Sequence, residues 1–106
     1  MQHFSANQVS TLLASAQSNV QLLDVREQWE YEICHLPGSI HIPIAQLAER
    51  LNELDSNKTT IVVCHHGIRS YKIAVYLEQA GWADVINLTG GVEAWSTSVD
   101  PSLQRY

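Results

Sequence analysis

The segment Thr59-Thr60-Ile61-Val62-Val63-Cys64 most constrains what this chain can fold into. It is rich in β-branched and apolar residues without polar–apolar alternation, so as a strand it must be covered on both faces. Such a strand belongs at the centre of a largely parallel sheet with helices packed on either side. The remaining sequence supplies strands and helices in alternation. Ser5, with Gln8 three residues on, has the pattern of a capping box, and Val9, Leu12, Leu13 and Ala16 follow at helical spacing. Residues 20–25 read as a short buried strand, 27–33 as a brief helix, Pro37-Gly38 as a turn and 39–42 as an extended run. Pro43 suits the first turn of a further helix, with Ile44, Leu47, Leu51 and Leu54 on its apolar face and Asp55-Ser56-Asn57 at its end. The spacing predicts a well-defined helix over 70–80, with Ile73, Ala74, Leu77 and Ala80 inward and Gly81 as its stop. Residues 85–88 read as the last strand, Gly90-Gly91 open a final helical turn ending near Trp95, and 99–106 form a short tail.

Size and charge narrow the function. A chain of 106 residues, 45% apolar, is one domain's worth, spanning 1–106. No stretch approaches the roughly 18–20 continuous apolar residues that span a bilayer. Met1-Gln2-His3-Phe4-Ser5 has neither a basic leader nor an apolar signal segment, so a cytoplasmic location is expected. Six Lys and Arg stand against eleven Asp and Glu, a net charge of −5, which argues against nucleic acid or an anionic membrane as partner. An anionic substrate would have to be held by a local arrangement. The two cysteines, Cys34 and Cys64, form no CxxC pair, which argues against a zinc knuckle or thioredoxin-like motif and favours free thiols. The helix faces show no extended apolar surface, and a monomer is expected.

In open parallel sheets, ligands bind beyond the carboxyl ends of the strands, where loops lead into helices. Cys64 ends the central strand, and Cys64-His65-His66-Gly67-Ile68-Arg69-Ser70 runs straight into the helix beginning near Ser70. Successive backbone N–H groups in such a loop can converge on one point as an anion cradle, and the helix N-terminus adds partial positive charge there. A thiolate held at that point is a nucleophile. Gly67 permits a backbone conformation closed to other residues, and Arg69 offers a fixed positive charge to an incoming oxyanion. His65 and His66 lack further ligands at metal-binding spacing, so they are expected to shape the pocket and meet substrate.

Four blocks of this sequence resemble the single-domain rhodaneses. They are Leu23-Asp24-Val25-Arg26-Glu27, then His35-Leu36-Pro37-Gly38-Ser39-Ile40-His41-Ile42-Pro43, then the loop from Cys64 to Ser70, and last Gly81-Trp82 with Leu88-Thr89-Gly90-Gly91-Val92-Glu93-Ala94-Trp95. In order and spacing they cover about nine-tenths of the chain. The resemblance implies a rhodanese-like three-layer α/β fold, a five-stranded parallel sheet with helices on both faces. It implies a sulfurtransferase in which Cys64 takes the outer sulfur of a donor such as thiosulfate, or of a persulfide, and becomes a persulfide. A thiol, cyanide or a protein then accepts that sulfur. The backbone amides from His65 to Ser70 would hold the persulfide, with no metal and no organic cofactor. By position, Asp24 and Arg26 support the pocket, Arg26 being nearer to function and Asp24 holding the loop through an ion pair or hydrogen bond.

The loop length bears on the alternatives. Four residues separate Cys64 from Arg69, whereas phosphatases of the related cell-cycle type have one more, so phosphatase or arsenate reductase activity is the lesser reading. A non-catalytic rhodanese-like interaction module is the rival from another class, and inactive copies generally lack the cysteine. Cys34 stands where the family usually has Gly, as a small-residue replacement or as a second thiol if it lies near Cys64. His41 stands where Asn is common. Arg69 is the loop's one permanent charge, which weighs against thiosulfate as the physiological donor. Trp82 and Trp95 are expected in the core, and Trp29 and Tyr31 at the pocket rim.

Overall fold

The computed structural model describes residues 1–15 and 19–106; Ala16, placed on the first helix by its spacing, lies outside them. Five strands form one sheet in the order β1-β5-β4-β2-β3, and every pairing is parallel. The strands are β1 (Gln2–Phe4), β2 (Val20–Asp24), β3 (Ile40–His41), β4 (Thr59–Val63) and β5 (Asp84–Leu88). The helices are α1 (Ala6–Ser15), α2 (Gln28–Ile33), α3 (Leu47–Arg50), α4 (Ile68–Gln79) and α5 (Gly91–Ser98). β4 is central, flanked by β2 and β5, as its uninterrupted apolar run requires.

Alternation along the strands divides the core into two layers. Leu22, Ile61, Val63, Ile86 and Leu88 face α1 and α5, packing with Ala6, Val9, Val92 and Trp95. Leu23, Val62, Cys64 and Val85 face α3 and α4, packing with Leu47, Ala74 and Leu77. Cys64 therefore belongs to the α4 layer and Cys34 to the opposite one.

Local signals account for most boundaries. Ser5 N–H donates to Gln8 Oε1 at 2.8 Å and Gln8 N–H to Ser5 Oγ at 3.2 Å, the two halves of the expected capping box. Gly81 takes φ +91° just past α4, as a helix stop requires. Residues 2–4, for which the sequence predicts no element, form an edge strand, because β1 is completed only by pairing with Ile86–Leu88. Two expectations need correction. The helix expected from Pro43 is broken into a 3₁₀ turn over Ile44–Gln46, a single α-helical turn, and a second 3₁₀ turn over Leu51–Glu53. Only Leu47 of its apolar face is fully buried, so little packing holds a longer helix together. Finally, α4 begins at Ile68 and α5 runs on to Ser98.

Candidate active site

Cys64 follows the last residue of β4, at the carboxyl edge of the sheet, and Gly67 turns the chain into α4 with φ +95°. A Cβ at Gly67 would lie 2.9 Å from the Gly90 nitrogen and 3.2 Å from the Leu88 carbonyl oxygen, so the loop can pass there only as glycine. The turn aims two backbone N–H groups at the sulfur: Gly67 at 3.1 Å and Ser70 at 3.3 Å from Cys64 Sγ. The Cys64 thiol in turn donates to Ser70 Oγ at 3.3 Å. Ser70 Oγ–H is committed to Asn87 Oδ1 at 2.6 Å, and Asn87 Nδ2 donates to the Gly67 carbonyl at 3.3 Å. One buried side chain on β5 thus fixes both the hydroxyl beneath the sulfur and the turn above it.

The loop carbonyls point the other way. Val92 and Glu93 N–H, in the first turn of α5, donate to the Cys64 and His65 carbonyls at 2.9 and 3.1 Å. The orphan donors of one helix N-terminus thereby satisfy the outward oxygens of the loop, leaving its inward N–H groups for an anion. Contact is so close that a Cβ at Gly91 would meet both carbonyl oxygens at 2.3 Å.

Above the sulfur lies a pocket of about 260 Å³ lined by Cys64, His65, His66, Ile68 and Arg69. Cys64 is 1% exposed, so its sulfur is approached through this opening. Arg69 lies against the carboxylate of Glu30 in a two-pronged ion pair, Nη1–Oε2 2.8 Å and Nη2–Oε1 2.9 Å. Burial alone would raise the Glu30 carboxyl. The Arg69 guanidinium, the Glu27 N–H and the Tyr106 hydroxyl outweigh that and hold it at about 2. Glu30 in return raises Arg69 further above its ordinary value.

His65 is sandwiched between the His66 and Tyr106 rings, each with centroids 3.9 Å away. Its buried Nε2 makes no hydrogen bond, and the nearest carboxylate oxygen of Glu93 stands 3.9 Å away. Burial, then the neighbouring His66, lower the His65 pKa and favour a neutral ring.

The structure gathers His65, His66, Gly67, Ile68, Arg69 and Ser70 around Cys64, but it places Asp24 and Arg26 behind the pocket, both 0% exposed. Arg26 cannot meet a substrate from there. It pairs with Asp24 (Nη2–Oδ2 2.7 Å), donates to the Cys34 carbonyl at 2.6 Å, and donates to the Tyr106 hydroxyl at 3.0 Å. Tyr106 passes the contact on by donating to Glu30 Oε1 at 2.9 Å. Burial, with the Glu30 bond beside it, pushes the Tyr106 phenol up to about 12, so it stays a donor at any physiological pH. A chain of contacts therefore runs from buried Asp24 and Arg26 through Tyr106 and Glu30 to the partly exposed Arg69.

Glu30, Asn87, Gly91 and Tyr106 are the site residues that sequence reasoning missed. Asn87 had a signal, a lone amide inside the apolar run 85–88; Tyr106 had none, being 80 positions from Arg26. Trp29 is 59% exposed and lies edge-on to Tyr106, beside the pocket, whereas Tyr31 stacks on His35 and His41 and braces the turn before β3. Among the described residues no group of His, Cys, Asp and Glu is arranged to hold a metal ion, and no helix is long and apolar enough to cross a membrane.

These features define a parallel α/β protein with a cysteine sulfur seated in a backbone-amide cradle at the carboxyl end of its central strand. Residues 5–98 match the family model of the rhodanese-like domain, and the chain belongs to that family. It is 39% identical over 77 residues to the thiosulfate sulfurtransferase GlpE of Pseudomonas syringae, covering 73% of each chain. It is 41% identical over 90 residues to the rhodanese-like/PpiC domain-containing protein 12, chloroplastic, of Arabidopsis thaliana, covering 81% of this chain but only 30% of that protein. Among solved structures, a rhodanese-like domain protein from Staphylococcus aureus superposes with a TM-score of 0.84 at 30% identity, over 100% of this chain and 99% of that one. The three-layer fold with its five-stranded parallel sheet, implied by the resemblance, is thus the observed one.

Proposed function

We propose that this protein is a sulfurtransferase that carries a sulfane sulfur as a persulfide on Cys64. The observation that carries the reading is the pair of N–H groups, from Gly67 and Ser70, aimed at a sulfur on the floor of an open pocket. In the first half-reaction the Cys64 thiolate attacks the outer sulfur of a donor. A new S–S bond forms as the donor's own S–S bond breaks, and the donor's remainder leaves with the electron pair. In the second, a thiophilic acceptor (a thiol, cyanide or a protein thiol) attacks the outer sulfur and Cys64 departs as thiolate. The cradle stabilises negative charge on sulfur in both steps without any cofactor. Similarity to GlpE supports this activity, and two free cysteines are consistent with the reducing, cytoplasmic setting expected from the sequence.

Intact mass of the purified protein should rise by one sulfur atom after exposure to thiosulfate or an organic persulfide, and fall back on adding cyanide. Cys64→Ser should show no gain. If the folded wild type takes up sulfur from neither donor, the domain is a docking unit instead.

A further inference from the structure

Arg69 is the one permanent positive charge in the pocket wall, and an oxyanion donor would need it. It is already engaged. Glu30, 4% exposed and ionised, occupies both prongs of the guanidinium. The other arginines are paired as well: Arg26 with Asp24, Arg50 with Glu53 and Arg105 with Glu93. Neither lysine, Lys58 nor Lys72, lines the pocket. His65 favours its neutral form and has a Glu93 carboxylate oxygen 3.9 Å from its Nε2. Ile68, 70% exposed, sets an apolar side chain at the opening. A dianion entering here would meet a neutralised wall in a chain whose net charge is −5. An organic hydropersulfide, carrying at most one negative charge against the two of thiosulfate, would meet less of that obstacle.

We propose that Glu30 is a specificity-determining residue that withdraws Arg69 from anion binding, so that the pocket takes sulfur from organic persulfides with an uncharged R group in preference to thiosulfate. The proposal rests on the sulfurtransferase reading above. The step balances as Cys64–S⁻ plus R–S–SH giving Cys64–S–SH plus R–S⁻. The Cys64–sulfur bond forms, the donor S–S bond breaks, its electron pair leaves on the R thiolate, and the proton stays on the transferred sulfur. No outside oxidant or reductant is required.

The test compares wild type with Glu30→Gln, which keeps the shape and one oxygen acceptor, removes the charge, and turns an NH2 donor toward one prong of the Arg69 guanidinium. Rates of sulfur loading on Cys64 are read by intact mass with two probes, thiosulfate and 2-hydroxyethyl persulfide. Wild type should load faster from the persulfide. Glu30→Gln should raise the thiosulfate rate about tenfold, the scale of unmasking one charge near the surface, and change the persulfide rate by less than about threefold. A folded Glu30→Gln protein with an unchanged thiosulfate rate would overturn the proposal while leaving the sulfurtransferase reading intact. Loading from neither probe would overturn both.

A second measurement on wild type alone covers the case in which the variant does not fold. With Arg69 masked, kcat/KM for thiosulfate should be flat or rise as salt is added. A severalfold fall would mean that a free cation attracts the anion, and the proposal would fail.

Discussion

At the scale of single residues, the site depends on side chains whose work is to orient other groups. Asn87 is 3% exposed and never reaches the pocket, yet it accepts from Ser70 and donates to the Gly67 carbonyl. Replacing it by Leu would take away the acceptor of the buried Ser70 hydroxyl and one of the two donors to the Gly67 carbonyl, which would keep only the Tyr71 N–H at 3.3 Å. A buried polar group left unsatisfied costs about 1–3 kcal/mol. We expect Asn87→Leu to lose about 2 kcal/mol or more in urea unfolding, and to slow sulfur loading, because the turn that presents the Gly67 N–H loses its anchor. Unchanged stability would show that water or a rearranged loop replaces the amide. Cys34 is a contrasting case. It is buried in the core layer opposite Cys64, with an ordinary extended backbone (φ −163°). That fits a small-residue replacement at a position where glycine's freedom is not needed, and it gives no support to a resolving thiol.

At the scale of elements, the cradle is a joint between two helix N-termini rather than a property of one loop. α4 begins beneath the sulfur, and α5 turns its first N–H groups onto the carbonyls of Cys64 and His65. Gly91 makes that approach possible at φ +60° with no side chain between the two backbones. Gly91→Ala would force a Cβ against two carbonyl oxygens from an unfavourable backbone conformation. We expect a cost of about 2–4 kcal/mol, combining left-handed strain with overpacking. A chain of this size would then lose about 10 °C or more in Tm. Calorimetry checks it, and sulfur loading by the residual folded protein should be slower too, since the loop must shift. A melting temperature within a degree or two of wild type would mean that the joint is looser than its geometry indicates.

At the scale of the whole molecule, the Asp24–Arg26–Tyr106–Glu30–Arg69 chain ties β2, α2, the segment after α5 and the start of α4 into one assembly. Its pH dependence follows from Glu30, whose carboxyl falls from 4.5 to about 2 on folding. A group depressed in the folded state contributes stability above its unfolded value and loses it as pH falls toward the folded value. The contribution should therefore be fully present above about pH 5 and lost between about pH 4.5 and pH 2. Its upper bound is about 3 kcal/mol, reduced in practice because Arg69 is partly exposed to water. Unfolding free energies of wild type and Glu30→Gln should differ most near neutrality and converge toward pH 2. A constant difference across that range would place the effect in packing instead.

Much of this architecture was legible in the chain itself. The uninterrupted apolar run 59–63 determines a central strand, the Ser5–Gln8 pair a helix start, and the Gly after α4 a helix stop, because each depends on near neighbours and on local backbone chemistry. The Cys64–Ser70 loop was legible for the same reason: a strand, a glycine turn and a helix start are short-range facts. Elements that depend on distant partners were not. β1 exists only through β5, and the segment expected as one helix after Pro43 breaks up where only Leu47 of its apolar face is fully buried. The charge of the pocket was likewise decided only in three dimensions. Read along the chain, Arg69 is a free cation in the loop. Folding brings Glu30 from 39 positions away onto both its prongs and lays Tyr106 against His65. Sequence alone determines which groups can do chemistry, since bonding capacity belongs to the residue. Whether a charge is free to act depends on what burial forces against it, and only the tertiary structure sets that.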